Sequence, residues 1–271
     1  MGLISKSALI DLIVGWLTHE RPPSSIPMSD FERTRYEIKP GDVILIEGRS
    51  RVSDVIKTIT QSCWSHAALY IGRLHEIEDP TTRQKVKEYF DGQPDVQLIV
   101  ESELGMGTLV RPLSTYDREH MRICRPRDLT YGDAQKVINY AVGRLGTDYD
   151  IRQIFDLLRF LFPWLVMPRK WRSSLFTSHV GTTTKTVCST MIAEAFASIQ
   201  YPILPLVKRS EQHEVKIYRR NPKLCTPSDF DYSPYFDIIK YPFMNFAQSQ
   251  PHYRLLPWDT DNIHSEHKPH R

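Results

Sequence analysis

Short apolar runs bounded by polar and turn-forming residues dominate the first half of the chain. One run of Val, Ile and Leu follows a Lys-Pro-Gly-Asp turn at residues 39–42, and further runs come after it. Runs of this length between turn signals are typical of buried β-strands. The polar stretch 75–94 predicts an exposed excursion between the second and third strands. The predicted strands cover residues 43–46, 67–72, 97–101, 108–110 and 121–125.

The apolar positions change to a helical period in the second half of the chain. One stretch, from residue 134 to 145, places its apolar residues on a single helical face and ends at Gly146. A second stretch, at 187–199, has the same spacing, so both predict helices. Strands that come first and helices that come later favour an α+β fold, in which an antiparallel sheet packs against helices.

Two further apolar segments each leave two interpretations open. Residues 3–17 have one apolar helical face, followed by a proline-containing linker at 22–30. This helix packs either on the domain or a second subunit, or on a membrane surface with its axis in the plane. Residues 154–167 are apolar on nearly all sides. They predict either a buried helix or an acyl-chain channel or membrane-facing lid.

The composition is ordinary for a soluble globular protein. Of 271 residues, 41% are hydrophobic and 25% are charged, and 35 Lys and Arg against 32 Asp and Glu give a net charge of +3. Because this charge is small and no nucleic-acid motif is present, we do not expect nucleic-acid binding. No apolar run is long enough to span a bilayer, and the N-terminus lacks a signal-peptide pattern. We expect a cytoplasmic protein, with peripheral membrane contact as an open alternative.

The cysteines are scattered rather than paired in metal or redox motifs. The absence of a CxxC pair predicts free thiols in a reducing compartment, with no metal and no cofactor. The histidines of the C-terminal tail offer no preformed metal site, because we expect the tail to be disordered. The four cysteines are Cys63, Cys124, Cys188 and Cys225, and the three histidines nearest the C-terminus are His264, His267 and His270.

Cys188 has the position of a reactive thiol. It follows Thr186, a residue type that favours helix N-caps, so it should lie in the first turn of the predicted helix. The positive end of the helix dipole favours a thiolate there, and nucleophilic catalysis by cysteine requires a thiolate. The alternative is a buried cysteine that acts as a small hydrophobic residue.

His66 and Glu101 could supply the remaining roles of thiol catalysis. His66 opens the second predicted strand, and Glu101 closes the third. A histidine base and a carboxylate that orients its imidazole would complete a triad with Cys188. A structural histidine and a solvated carboxylate are the alternatives for these two positions. His179, in the stretch before the cysteine, is a second candidate for the base.

Five segments of the chain occur in the order found in a known group of enzymes. They read GDVILIEG, SHAALYIG, IVES, GTDYD and VCSTMIAEAF. From about residue 36 to about residue 241, the chain resembles the circularly permuted NlpC-like papain-fold cysteine hydrolases of the YiiX/YebB-like group. Lecithin retinol acyltransferase is a distant relative of that group. In the group the histidine precedes the cysteine, as it does in this chain, which implies a circularly permuted papain-like fold.

The resemblance implies roles for individual residues. The family nucleophile falls on Cys188, the family histidine on His66 and the acidic third member on Glu101. Many members carry a glutamate where this chain has Thr190, a difference that should alter substrate contacts rather than the chemistry. The residues expected to line the site or to help hold the oxyanion are Tyr149, Ser65 and Ser189.

The resemblance also suggests a domain organisation. An amphipathic helix and linker at 1–30 should precede a catalytic domain at 36–241. An apolar insertion at about 151–185 should lie just before the nucleophile. The residues 242–271 should form a C-terminal tail.

The predicted function is that of a thiol hydrolase or acyltransferase. It would cleave an amide- or ester-linked acyl group through a thioester intermediate. Kinship with acyltransferases, the apolar stretch and the amphipathic start favour a lipid-like or acylated substrate, with membrane contact through residues 3–17. A peptidoglycan peptide amidase is one alternative. The other is a catalytically silent binding module, in which Cys188 would be buried and unreactive.

Overall fold

Eight strands form two sheets in the part of the chain that the structure describes. The computed structural model describes residues 14–23, 27–147, 187–209 and 215–242. The strands are β1 (Val43–Ile46), β2 (His66–Gly72), β3 (Leu98–Glu103), β4 (Gly107–Pro112), β5 (Met121–Pro126), β6 (Leu206–Arg209), β7 (Val215–Tyr218) and β8 (Phe236–Ile239). Six of them make one antiparallel sheet in the order β4-β3-β2-β1-β5-β8, and β6 and β7 pair separately.

Four of the helices in the part of the chain that the structure describes begin with a side-chain N-cap. The side chains of Asp30, Ser50, Asp79 and Thr130 each accept a hydrogen bond from a backbone N–H in the first turn of the helix that follows. Such caps satisfy N–H groups that have no partner within the helix. The helices are α1 (Phe31–Glu37), α2 (Arg51–Thr60), α3 (Pro80–Tyr89), α4 (Tyr131–Gly143), α5 (Val187–Ser198) and α6 (Pro227–Tyr232).

The central sheet is covered on both faces. On one face, Leu45 and Leu69 belong to a core that α4 and α5 complete with Ile138 and Ile192. On the other face, residues such as Ile44 and Tyr70 pack with side chains from α1 and from the 3₁₀ turn Leu113–Tyr116. Burial on both faces explains why the central strands have continuous apolar runs instead of alternation.

The observed elements confirm the predicted α+β organisation. The five predicted strands are present with ends that differ by no more than two residues, and both predicted helices of the second half are present. The prediction of an exposed excursion at 75–94 is wrong in part, because this stretch contains α3. Ile77 and Val86 are buried and attach the helix to the core, although polar residues outnumber apolar ones along it.

The N-terminal segment is described from residue 14 onward. Residues 14–18 are helical, and Leu17 is fully buried. Trp16 stacks under the Arg51 guanidinium at 4.7 Å, and Arg21 pairs with Asp54 at 2.6 Å. The end of the predicted amphipathic helix therefore packs on α2. Among the described helices, none has both the length and the apolar character that a membrane span needs.

Candidate active site

His66 and Glu101 meet at one end of the central sheet. The antiparallel pairing of β2 with β3, with Leu69 opposite Val100, brings the start of β2 next to the end of β3. The Nε2 atom of His66 lies 2.7 Å from Oε2 of Glu101. The carboxylate is completely buried, whereas the imidazole keeps 18% of its side chain exposed. The histidine therefore has one nitrogen fixed by a carboxylate and remains accessible from solvent.

Cys188 approaches the same imidazole from the other side. It is the second residue of α5, which packs against β2 and β3, and its side chain is 3% exposed. The thiol hydrogen-bonds with the His66 side chain. Because Nε2 is engaged by Glu101, Nδ1 is the nitrogen available to the sulfur. The structure thus brings together the three residues predicted to form a triad, and the imidazole contacts both the thiol and the carboxylate.

The charges around His66 favour its protonated form. Burial lowers the pKa of the imidazole, but the negative charges of Cys188 and Glu101 and the hydrogen bonds to both outweigh it. The net result is a pKa held well above the ordinary value of a histidine. A protonated imidazole between a sulfur and a carboxylate can stabilise the sulfur as a thiolate.

Glu101 is itself held in place by two side chains that the sequence did not identify. The Tyr116 hydroxyl donates to Oε2 at 2.6 Å, and Nε of Arg111 lies 3.5 Å from Oε1. Burial raises the pKa of this carboxyl, but His66, Tyr116 and Arg111 together bring it below its usual value. The carboxylate therefore stays ionised although it is fully buried.

The strand register could have indicated Arg111 as a neighbour of Glu101, whereas nothing in the sequence indicates Tyr116. In β4, Leu109 pairs with Glu101 and Arg111 with Ile99, so Arg111 is on the same sheet face as Glu101. Tyr116 lies in a 3₁₀ turn after β4. No hydrophobic period or motif marks a position in such a turn, so sequence analysis had no signal for it.

Ser65 and Ser189, which are next to His66 and Cys188 in the chain, each form a hydrogen bond with a backbone group. The Ser65 hydroxyl accepts a hydrogen bond from the Gly48 backbone N–H at 2.9 Å, and the Ser189 hydroxyl donates to the Cys225 carbonyl at 2.6 Å. Both serines are buried beside the residues proposed to react. These contacts favour positioning roles for Ser65 and Ser189, and a part in holding the oxyanion stays a prediction for both.

Several predicted features lie outside the described residues. They include Tyr149 and the second candidate base, His179. Their roles stay predictions. The apolar insertion at about 151–185, the tail beyond residue 242 and most of the segment 3–17 also fall outside the described ranges.

The remaining cysteines differ from Cys188 in their surroundings. All four thiols are free. Cys124 and Cys225 are buried, and burial is the largest of the effects that raise the pKa of each thiol. Cys63 is exposed, yet partial burial and the Glu47 charge also raise its pKa. None of these three has a described hydrogen bond to a histidine, in contrast to Cys188.

A cavity of about 440 Å³ lies beside the later turns of α5. Its walls are mostly apolar, and Cys225 and Asp229 close one side. The hydroxyl of Ser189, the residue after Cys188, donates to the Cys225 carbonyl at 2.6 Å, so this wall of the cavity lies near the nucleophile. The residues that form the apolar lining include Ala193, Ala197, Tyr201, Ile203, Leu204 and Ile217.

The sequence matches a known family in the region that holds two of these residues. Residues 37–157 match the family of permuted papain-like amidase enzymes of the YaeF/YiiX group, Peptidase_C92. The matched range includes His66 and Glu101 and ends before Cys188. The match confirms the predicted resemblance to the YiiX-like group and the circularly permuted papain-like fold, and it supports a hydrolase of the cysteine-dependent kind.

One solved structure resembles the chain over most of its length. It is the crystal structure of metalloprotein yiiX (DUF1105) from Escherichia coli O157:H7. The comparison covers 75% of this chain and 97% of that chain, with 14% sequence identity and a TM-score of 0.44. No curated protein matches the sequence.

Proposed function

We propose that this chain, which is similar to the permuted papain-like amidases of the YaeF/YiiX group, is a thiol hydrolase or acyltransferase. Its substrate carries an amide- or ester-linked acyl group, and the acyl group passes through a thioester on Cys188. The observation that carries this proposal is that His66 hydrogen-bonds with both the Cys188 thiol and the buried Glu101 carboxylate.

The reaction begins with a proton on the imidazole. This proton comes from the Cys188 thiol, so the resting pair is a thiolate and an imidazolium, and Glu101 stabilises the imidazolium through Nε2. The thiolate attacks the carbonyl carbon, and His66 returns the proton to the leaving amine or alcohol. Water, or an acceptor amine or alcohol, then attacks the thioester. His66 takes the proton of this second nucleophile, and Cys188 is released.

The N-terminus of α5 supplies a place for the oxyanion. Cys188 stands in the first turn, where backbone N–H groups have no carbonyl partner within the helix. Its own N–H can therefore donate to the developing negative charge, which the helix dipole also stabilises. Loss of one such donor typically slows a reaction by about 100- to 1000-fold.

The cavity beside α5 favours an apolar acyl group. Its volume of about 440 Å³ lies within the range of small-molecule sites, and its lining is mostly hydrophobic. The small side chains of Ala193 and Ala197 leave room next to the helix that carries the nucleophile. A lipid-like or acylated substrate would place its chain there, with the scissile carbonyl at Cys188. Membrane contact through residues 3–17 is part of the same proposal, as it would give access to such substrates.

Substrate turnover by matched variants tests the proposal. Wild type, Cys188→Ala and Cys63→Ala are incubated with N-acylated amino acids, phospholipids and muropeptides, and products are identified by mass spectrometry. We expect wild type and Cys63→Ala to release acyl groups, and Cys188→Ala to be inactive. A covalent acyl adduct on Cys188, released by hydroxylamine, would identify the thioester. Turnover of muropeptides alone would contradict the acyl-lipid proposal, and equal activity of Cys188→Ala would contradict the mechanism.

A further inference from the structure

A second group of thiol, imidazole and carboxylate lies at the same end of the sheet. Glu47 directly follows β1, Cys63 lies shortly before β2, and His120 directly precedes β5. Because β1 pairs antiparallel with both β2 and β5, with Ile46 opposite His66 and opposite Met121, these three loops meet at one edge. The sheet topology therefore brings together residues that are far apart in the sequence.

The three side chains present different ligand atoms within a small space. Oε2 of Glu47 lies 2.9 Å from Nδ1 of His120. One ligand atom from each of Glu47, Cys63 and His120 lies within 4.8 Å of the other two. A tetrahedral zinc ion holds its ligand atoms roughly 3.5 Å apart, given its usual bond lengths to sulfur, nitrogen and oxygen. A modest side-chain rotation would therefore close the group around one ion.

The chemistry of the donor set fits zinc. Zinc binds cysteine sulfur, histidine nitrogen and carboxylate oxygen, and sites with three protein ligands keep a position open for water. A thiolate and a carboxylate together neutralise the charge of Zn²⁺. Glu47 and His120 keep 31% and 26% of their side chains exposed, and Cys63 is exposed, so an ion can enter from solvent.

Neighbouring side chains orient the proposed ligands. Lys57 lies 3.4 Å from Oε1 of Glu47, the oxygen that does not contact His120. The Trp64 ring packs against the His120 ring with centroids 4.9 Å apart, and Trp64 Nε1 donates to Asp231 at 3.2 Å. Supporting contacts of this kind fix the orientation of ligands in metal sites.

We propose that Glu47, Cys63 and His120 form a zinc site. On binding, Cys63 releases its thiol proton to solvent and coordinates as thiolate. Glu47 coordinates as carboxylate, and His120 coordinates as neutral imidazole, with water completing the tetrahedron. The site is separate from Cys188 and does not depend on the function proposed for that residue.

Metal titration of the full-length chain tests the site directly. The protein is dialysed against chelator under reducing conditions and titrated with Zn²⁺ against a chromophoric chelator. It is then titrated with Co²⁺ to detect the near-ultraviolet charge-transfer absorption of a cobalt–thiolate bond. We expect one equivalent of Zn²⁺ and a cobalt–thiolate band in wild type. Cys63→Ser and His120→Gln should lose the stoichiometric binding, and Cys63→Ser should lose the band.

Control variants distinguish this site from other metal-binding positions. Cys188→Ala removes the other candidate thiol that contacts a histidine, and His75→Gln removes an exposed histidine outside the cluster. Both should keep the binding and the band, as should a variant in which His264, His267 and His270 are replaced by glutamine. The proposal is overturned if wild type binds no stoichiometric Zn²⁺, if Cys63→Ser keeps the band, or if Cys188→Ala loses it. Circular dichroism of each variant shows whether the loss reflects unfolding.

Discussion

The Nε2 atom of His66 and the Oε2 atom of Glu101 are 2.7 Å apart, and the carboxylate is completely buried. The carboxylate fixes the orientation of the ring through Nε2, which leaves Nδ1 as the nitrogen available to the sulfur of Cys188. It also stabilises the charged imidazole, because the opposite charges are close and the carboxylate is shielded from water. The pair thus determines both the geometry and the protonation state of the histidine.

Glu101→Gln should lower the pKa of His66. The substitution keeps the shape of the side chain but removes one of the two negative charges that hold the pKa high. In the folded wild type the imidazolium should persist to a pH above the ordinary histidine range, and in the variant it should lose its proton at lower pH. NMR titration of the His66 ring measures this. If Glu101 supports the base as proposed, turnover should also fall, by roughly 100- to 10,000-fold. An unchanged titration midpoint would contradict the role of Glu101.

Tyr116→Phe should destabilise the fold by about 1.5–3 kcal/mol, the usual worth of a hydrogen bond to a charged group. The hydroxyl donates to the buried carboxylate at 2.6 Å, and phenylalanine leaves that oxygen with one donor fewer. Urea denaturation measures the change in the free energy of unfolding. Tyr131→Phe is the matched control, because Tyr131 is 56% exposed and should have little effect. Equal effects of the two substitutions would argue against the Tyr116 contact.

Ala197→Leu should change the preference for acyl-chain length. Ala197 lines the cavity beside α5, and a larger side chain would shorten the space for an apolar chain. We expect kcat/KM for long-chain substrates to fall while that for short-chain substrates is retained. Ala197→Ser keeps the size and is the control. If both chain lengths are affected alike, the cavity does not hold the acyl group.

Deletion of residues 2–13 should reduce membrane binding if the amphipathic segment lies on a membrane. The deletion stops before Leu17 and Arg21, whose contacts with the domain are therefore kept. Co-sedimentation with vesicles that contain anionic lipid compares the deletion variant with the full-length chain. Equal sedimentation of the two proteins would indicate that the segment packs on the domain and does not bind the membrane.

The strands and the residues that carry the chemistry were predictable for a simple reason. A strand buried on both faces has a continuous apolar run, so the polar residues at its ends, such as His66 and Glu101, are conspicuous in the sequence. The family resemblance then supplied the pairing of these residues with Cys188. The order of the motifs mattered more than any one of them.

The features that could not be predicted from the sequence are held either by few apolar contacts or by contacts between residues far apart in the chain. α3 is held to the core by Ile77 and Val86, and two apolar residues do not make a visible helical period. Tyr116 reaches Glu101 from a 3₁₀ turn, and the cluster of Glu47, Cys63 and His120 exists because two strand pairings bring three loops to one edge. Such contacts follow from the tertiary fold and have no local signature.

Alkylation of the individual cysteines tests the central claim most directly. The folded protein is treated with limiting iodoacetamide near neutral pH, and modification of each cysteine is followed by mass spectrometry in wild type and in His66→Ala. Cys63 is exposed and Cys188 is 3% exposed, so accessibility alone favours Cys63. The proposed ion pair instead predicts that Cys188 reacts first, and that His66→Ala slows Cys188 without slowing Cys63. Faster reaction of Cys63, with no effect of His66→Ala on Cys188, would contradict the account.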